Sequence, residues 1–279
     1  MHATADYWSA KALTGYAPNW FSLCADEITW RVTGQTALAA SRWLLQENVP
    51  VLPAASMLEL GCLSGAKLRS CLDEGWISRG VGVDIALDAI ERGRRIPRAA
   101  LDLRIMDLNQ PVPLGETFEV IYANGVLHHI ENLEACADWM REHLRKSGVL
   151  IASEFTGPVR YRYSSHEIEA INEGVAMLPE ELRKPFDPAS LKPKLDADPS
   201  ESIRSRDIPD VLRAAGFDVS LIPYGGNVLQ RALGPAFFAK FSPMANTHRD
   251  ALHRLIQFDA QIMREAPSHH HFIVARHRK

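Results

Sequence analysis

The chain has 279 residues, 46% hydrophobic and 23% charged, the balance of an ordinary globular protein, so disorder, a collagen-like repeat and a membrane-spanning bundle are excluded. Thirty-one lysines and arginines against 34 aspartates and glutamates give a formal charge of −3, which leaves no excess of cations for nonspecific nucleic-acid binding. One enlarged α/β domain or two smaller ones fit this length, and either buries enough core to fold without a metal or disulfide staple.

The chain opens MHATADYWSAKALTGYAPNW, with no apolar stretch behind a basic start, and no later run approaches the ~20 apolar residues that span a bilayer. Cys24, Cys62, Cys71 and Cys136 are scattered without a C-x-x-C pair and read as reduced core thiols. A cytoplasmic protein is expected, with no membrane and no nucleic-acid partner. Residues 1–50 read as an N-terminal helical cover.

From 51 to 156 strands and helices alternate. MLEL (57–60) is a strand, AKLRSCLDEG (66–75) a helix, VGVD (81–84) a strand and IALDAIERGRR (85–95) a helix stopped before Pro97. LDLRIMD (101–107) and FEVIYA (118–123) are strands. LEACADWMREHLRK (133–146) is an amphipathic helix ended by Ser147-Gly148, and VLIASEF (149–155) is a strand. This rhythm predicts an α/β, doubly wound, mostly parallel seven-stranded Rossmann-like sheet with a helical lid contributed by insertions. Residues 157–204 form the first insertion, with a helical stretch at 164–178. Residues 205–279 complete the sheet with a helix at 208–216 and strands at 217–222 and 272–277. A second insertion spans 225–266 and carries a helix at 249–265. Ligands in such sheets bind at the carboxyl ends of the strands, so the insertions are assigned to substrate recognition.

The chemistry lies in the turns. LELGCLSG (58–65) places Gly61 where the backbone must turn tightly and Gly65 at the opening of the next helix. Three successive strands end in acid, at Glu59, Asp84 and Asp107. A carboxylate about 20 residues past the turn suits a nucleoside ribose, because it accepts both vicinal hydroxyl protons. A Rossmann dehydrogenase is the nearest competitor, but its turn cradles a pyrophosphate with G-x-G-x-x-G. The run G-C-L-S-G lacks that spacing.

Together, LELGCLSG, VGVD, IMDLN, YANGVLHHI and LRKSGVLIASE resemble the class I S-adenosylmethionine-dependent methyltransferases in order and spacing. The likeness covers 57–155 and resumes at AAGFDV (214–219). ITWRVTG, EFTGPVRYRY, DPSESIRS and the YGG at 224–226 extend it toward a small-molecule type of bacterial subfamily. The resemblance implies S-adenosylmethionine as cofactor. It sets Glu59 and Gly61 beside the methionine part, Asp84 at the ribose with Ile85 against the adenine, Asp107 at the adenine amino group with Leu108 alongside, and Asn124 near the sulfonium. One position departs, since the family usually has glycine where this chain has Leu63.

On the acceptor side, His128, His129 and Glu154 follow the fourth and fifth strands and are the candidate catalytic residues. Each also has a packing or capping alternative. Arg160 and Tyr161, within VRYRY, and Tyr224 are candidates for binding the acceptor, and Arg31 for meeting the cofactor carboxylate through a bidentate contact. Tyr7, Trp8, Tyr16 and Trp20 are candidates for an aromatic cover over the cofactor. His269–His271 is no metal site, because alternate strand residues face opposite sides and two ligands without an acid define nothing; no metal is expected. The expected function is methyl transfer to oxygen or nitrogen of a small-molecule acceptor. The alternative is an S-adenosylmethionine-binding protein without methyl transfer, either regulatory or catalysing a cyclisation or rearrangement. The oligomeric state stays open, a homodimer through the insertion helices included.

Overall fold

The computed structural model describes residues 4, 5, 7–10 and 18–279. Seven strands form one sheet: β1 (Met57–Leu60), β2 (Gly80–Asp84), β3 (Leu101–Ile105), β4 (Phe118–Asn124), β5 (Leu144–Phe155), β6 (Phe217–Gly225) and β7 (His270–His277). Their order is β3-β2-β1-β4-β5-β7-β6. The first five strands pair in parallel, while β7 lies antiparallel between β5 and β6. The chain therefore winds outward twice from β1, and the reversal between β1 and β4 opens a crevice at their carboxyl ends.

Helices α1 (Ala25–Thr33) and α2 (Ala40–Asn48) precede the sheet. Helices α3 (Ala66–Asp73), α4 (Leu87–Arg94) and α5 (Leu133–His143) cross over between strands. Helix α6 (Ser165–Ala176) follows β5, α7 (Ile208–Ala214) leads into β6, and α8 (Asn246–Glu265) precedes β7. Every residue of β1 and β2 is buried, as a sheet covered on both faces requires. The core divides accordingly. Met57, Val120, Tyr122 and Ile151 face one layer, and Leu58, Leu60, Ile121 and Leu150 the other. Helix α6 starts at a reciprocal cap: the Glu167 amide donates to Ser164 Oγ at 3.3 Å, and the Ser164 amide donates to Glu167 Oε2 at 2.7 Å.

Among the boundaries that differ from the sequence expectation, two bear on the sheet and the site. The third crossover helix ends at His143 rather than Lys146, because β5 starts early. Leu144 pairs with Phe118 across an irregularity in the ladder and is buried there. Gly148 lets this early segment approach β4, since a Cβ at that position would lie 2.8 Å from the Glu119 carbonyl oxygen. Strand β3 stops at Ile105, so Asp107 lies in the turn beyond it. Its Oδ1 there accepts from the Asn109 amide at 2.9 Å, a local Asx turn that competes with the strand ladder. No helix among the described residues is long and apolar enough to cross a membrane. All four cysteines are buried and unbridged.

Candidate active site

The turn after β1 keeps the backbone of a glycine-rich loop. Gly61 has φ of 66°, Leu63 49° and Gly65 75°. A Cβ on Gly61 would sit 2.8 Å from Val126 Cγ2, so the segment after β4 packs directly on this glycine. Leu63 holds the left-handed conformation that a β-carbon disfavours by ~1–2 kcal/mol. Its amide donates to Asp84 Oδ2 at 2.7 Å, and the Ala86 amide donates to Asp84 Oδ1 at 2.8 Å. Asp84 thus ties the first turn to the second while each oxygen keeps a further lone pair. Burial raises its carboxyl, against the backbone amides that pull it down.

Two neighbouring acids are less satisfied. Glu59 Oε2 and Asp107 Oδ2 are buried and accept no hydrogen bond. Burial pushes the Glu59 carboxyl up to about 8, with the charge of Lys67 opposing; the Lys67 ammonium itself donates to Ser41 Oγ at 2.9 Å. Orphaned acceptors of this kind cost ~1–3 kcal/mol each unless a ligand donates to them. Two such oxygens flanking Asp84 fit a ligand with an amine at one end, vicinal hydroxyls in the middle and an exocyclic amine at the other. Ile85 is half-buried and Leu108 buried beside these acids, while Asn124 at the end of β4 is exposed.

Across β4 and β5 lies a buried polar cluster. Glu154, 1% exposed, accepts from the Val126 and Leu127 amides at 3.0 and 2.9 Å through Oε1, and from His128 Nδ1 at 2.8 Å through Oε2. It therefore caps the turn Leu127–His129 and orients His128, and it makes no pair with Arg160. The His128 imidazole is raised, with burial opposed by the hydrogen bond and charge of Glu154. His129 stacks 4.2 Å from His128 between ring centroids, with the edge of Trp8 at 5.1 Å. Burial and the His128 charge push His129 down to about 3, so it is neutral at neutral pH.

The segment 157–204 closes back on these histidines. The Ile203 amide donates to the His128 carbonyl oxygen at 3.0 Å. Glu201 Oε1 lies 3.7 Å from His128 Nε2, and Oε2 lies 2.8 Å from Lys194 Nζ. The Tyr161 hydroxyl donates to Glu201. His129 Nδ1 lies 3.1 Å from Ser200 Oγ, whose hydroxyl donates to Asp198 Oδ1 at 2.6 Å. Asp198, Ser200, Glu201 and Lys194 were not singled out by the sequence reading. The only signal was the run DPSESIRS, which sets two acids three residues apart with a hydroxyl between them.

Three candidate positions are revised. Arg31 does not present a free guanidinium to a cofactor. Its Nε pairs with Glu27 at 2.8 Å, Nη1 with Asp259 at 2.7 Å, and Nη2 with the Ile256 carbonyl at 2.9 Å, near the end of β6 rather than β1. Tyr224 is 2% exposed, and its hydroxyl is shared with Ser153 Oγ at 2.9 Å, so it is core rather than an acceptor contact. Arg160 donates to the Pro199 and Glu201 carbonyls and so clamps the turn that carries Glu201. Tyr161 stays in the cluster, its ring lying 4.0 Å below the Arg231 guanidinium. Of the proposed aromatic cover, Trp8 meets His129 and Trp20 stacks at 6.3 Å on Tyr224; Tyr16 lies outside the described residues. His269 and His271 go to separate partners, Glu167 at 3.0 Å and Thr156 at 2.7 Å. The histidines that do converge with an acid are His128 and His129: one ring nitrogen of each and a Glu201 oxygen lie within 4.8 Å of one another.

A seven-stranded sheet in this order, with its last strand reversed and acids at or near the ends of its first three, is the fold of the class I S-adenosylmethionine-dependent methyltransferases. Residues 39–222, about two thirds of the chain, match the family model described as a methyltransferase domain, and the chain belongs to that family. Its activity is S-adenosylmethionine-dependent methyl transfer. No curated protein matches the sequence significantly. Among solved structures, the fold is similar to a complex of the Haloferax volcanii Trm112 methyltransferase activator with a methyltransferase. That match has 13% identity and a TM-score of 0.52, covering 99% of this chain and 98% of that one. It is also similar to Haemonchus contortus phosphoethanolamine N-methyltransferase 2 bound to phosphomonomethylethanolamine and S-adenosylhomocysteine. There the identity is 16% and the TM-score 0.53, covering 85% of this chain and 52% of that one. At these identities the likeness is one of fold.

Proposed function

We propose that the chain methylates an oxygen or nitrogen of a small-molecule acceptor, in the cytoplasm. The observation that carries this reading is the packing of residues 157–204 against His128 and His129, which buries the polar cluster beside the β4 end; a site covered in this way suits a small acceptor better than a polymer. These residues act as a lid in this reading. The four unbridged cysteines accord with a reducing compartment.

S-adenosylmethionine supplies an electrophilic methyl group on a sulfonium that departs as a neutral thioether. The residues of this chain hold and align. Asp84 takes the ribose hydroxyls, Asp107 the adenine amine with Ile85 and Leu108 against the ring, Glu59 and the Gly61 turn the methionine end, and Asn124 the region of the methyl group. His128 and His129, the first oriented by Glu154, activate the acceptor nucleophile, and Tyr161 borders it. Bringing nucleophile and methyl carbon to ~3–3.5 Å in line contributes most of the acceleration, of order 7–11 kcal/mol at best.

Two measurements test this. Isothermal titration is expected to show binding of S-adenosylmethionine and S-adenosylhomocysteine by the wild type and its loss in Asp84→Ala; unchanged binding in the variant overturns the ribose assignment. Radiolabelled methyl groups offered with a cell extract are expected in material below ~1 kDa. Label confined to protein or RNA overturns the small acceptor.

A further inference from the structure

The acceptor-side cluster holds more buried negative charge than its own cations balance. Glu154, Asp198 and Glu201 are 1%, 0% and 3% exposed. Lys194 is the single lysine or arginine paired with any of them among the described residues. With all three carboxylates ionised, negative charge remains in excess even when His128 is protonated. Asp198 Oδ2 is buried without a hydrogen bond, 3.4 Å from His129 Nδ1.

The hydrogen bonds also settle where the lone pairs point. Glu154 is an acceptor, so His128 Nδ1 carries the proton toward it, and in the neutral ring Nε2 keeps the lone pair. The Ser200 hydroxyl is spent on Asp198, so its oxygen accepts from His129 Nδ1, and here too Nε2 keeps the lone pair. Neither Nε2 makes a hydrogen bond among the described residues. Metal-ligating histidines are held in this way, with the second ring nitrogen donating to a carboxylate or other oxygen that sets the tautomer. Glu201 has its own outer partners in Tyr161 and Lys194. Every one of the three donors is therefore backed by a second group.

We propose that His128 Nε2, His129 Nε2 and a Glu201 carboxylate oxygen form a binding site for one divalent first-row transition ion, with Glu154 and the Ser200–Asp198 pair as positioning groups. Two imidazoles and one carboxylate suit zinc, iron(II), manganese or cobalt and disfavour magnesium and calcium, which prefer all-oxygen sets. An ion of charge +2 with Lys194 offsets the three carboxylates. On the acceptor side of the proposed site, such an ion would acidify an acceptor hydroxyl. The proton goes to solvent, the O–C bond forms as the C–S bond breaks, and sulfur keeps the electron pair. This replaces the expectation of a metal-free site. Only the ion's role rests on methyl transfer; its binding does not.

The test uses the full chain, stripped with chelator and checked by circular dichroism. Cobalt(II) is titrated with visible absorption as readout, and zinc(II) by equilibrium dialysis with elemental analysis, magnesium serving as control. The expected result is one cobalt or zinc per chain with ligand-field bands. Affinity should fall at least 100-fold in His129→Ala and in Glu201→Gln, fall ~10–100-fold in Glu154→Gln, and stay unchanged in His253→Ala. Glu201→Gln keeps the shape of the side chain, so its folded fraction answers for a variant that fails to fold. Absence of stoichiometric binding in folded protein, or equal binding by wild type and the His129→Ala/Glu201→Gln double variant, overturns the proposal. Cofactor titration of the stripped protein separates the two readings: S-adenosylmethionine binding without ion binding leaves the methyltransferase function standing.

Discussion

Leu63 shows how a residue other than glycine can hold the left-handed turn after β1. At φ of 49° it adopts the glycine conformation, and the Asp84 carboxylate holds its amide there. Leu63→Gly relieves left-handed strain but frees the unfolded chain, terms of similar size and opposite sign. We expect cofactor affinity to change by less than about threefold in titration calorimetry. A loss of tenfold or more would give the leucine side chain a binding role. Glu59 bears on pH. With its folded pKa at about 8, above the ordinary carboxylate range, the folded apoprotein binds a proton that the unfolded chain releases. Stability from this group is present below the unfolded pKa and falls as pH rises toward 8. A ligand ammonium beside Glu59 would ionise it. Cofactor binding at pH 7 is therefore expected to release nearly one proton, read from calorimetry in buffers of different ionisation enthalpy, and Glu59→Gln to release none.

Between elements, a buried polar tie joins α1 to β6 and α8. Asp259, fully buried, takes Arg31 Nη1 at 2.7 Å and the Val228 amide at 2.8 Å. Arg31 also donates to the Tyr224 carbonyl at 3.1 Å. Removing one partner of a buried pair costs ~3–5 kcal/mol, because it strands the other charge. Asp259→Asn is expected to lose about that much in urea denaturation. Arg31→Lys, which keeps the charge but not the fork, should lose less and leave cofactor affinity unaltered. A large affinity loss in a folded Arg31→Lys variant would return Arg31 to the cofactor. Helix α5 illustrates the limit of reading an element locally. The periodicity of 133–146 continues past His143, yet sheet pairing of Leu144 with Phe118 overrides it.

At the scale of the molecule, the proposed cofactor half and the proposed acceptor half of the site come from different parts of the chain. Residues 57–124 supply the first, and 124–204 supply the second. A ligand that binds only the folded form stabilises it by mass action, by about 2.7 kcal/mol at a hundred times its Kd. For a chain of this size, S-adenosylhomocysteine at that excess is expected to raise Tm by ~5–10 °C in a thermal scan. No shift at an excess where calorimetry shows saturation would mean that the bound region unfolds separately from the rest.

The sheet was legible in the sequence because strand and crossover helix alternate with distinct periods, and because Gly61, Asp84 and Asp107 stand at turns whose chemistry is local. The same holds for His128, His129 and Glu154, which close the fourth and fifth strands. What the sequence could not disclose depended on contacts across long separations. Glu201 reaches His128 over 73 positions. Arg31 finds Asp259 over 228, and Tyr224 turns inward to Ser153 over 71. A charged or polar side chain has no period that marks its partner; only closure of the chain decides which opposite charge it meets in a buried, low-dielectric place. The sequence by itself determined the fold class and the turns that carry the strand-end acids, through local propensity and spacing. The tertiary structure alone decided that Arg31, Arg160 and Tyr224 hold the frame while Asp198 and Glu201 face the histidines.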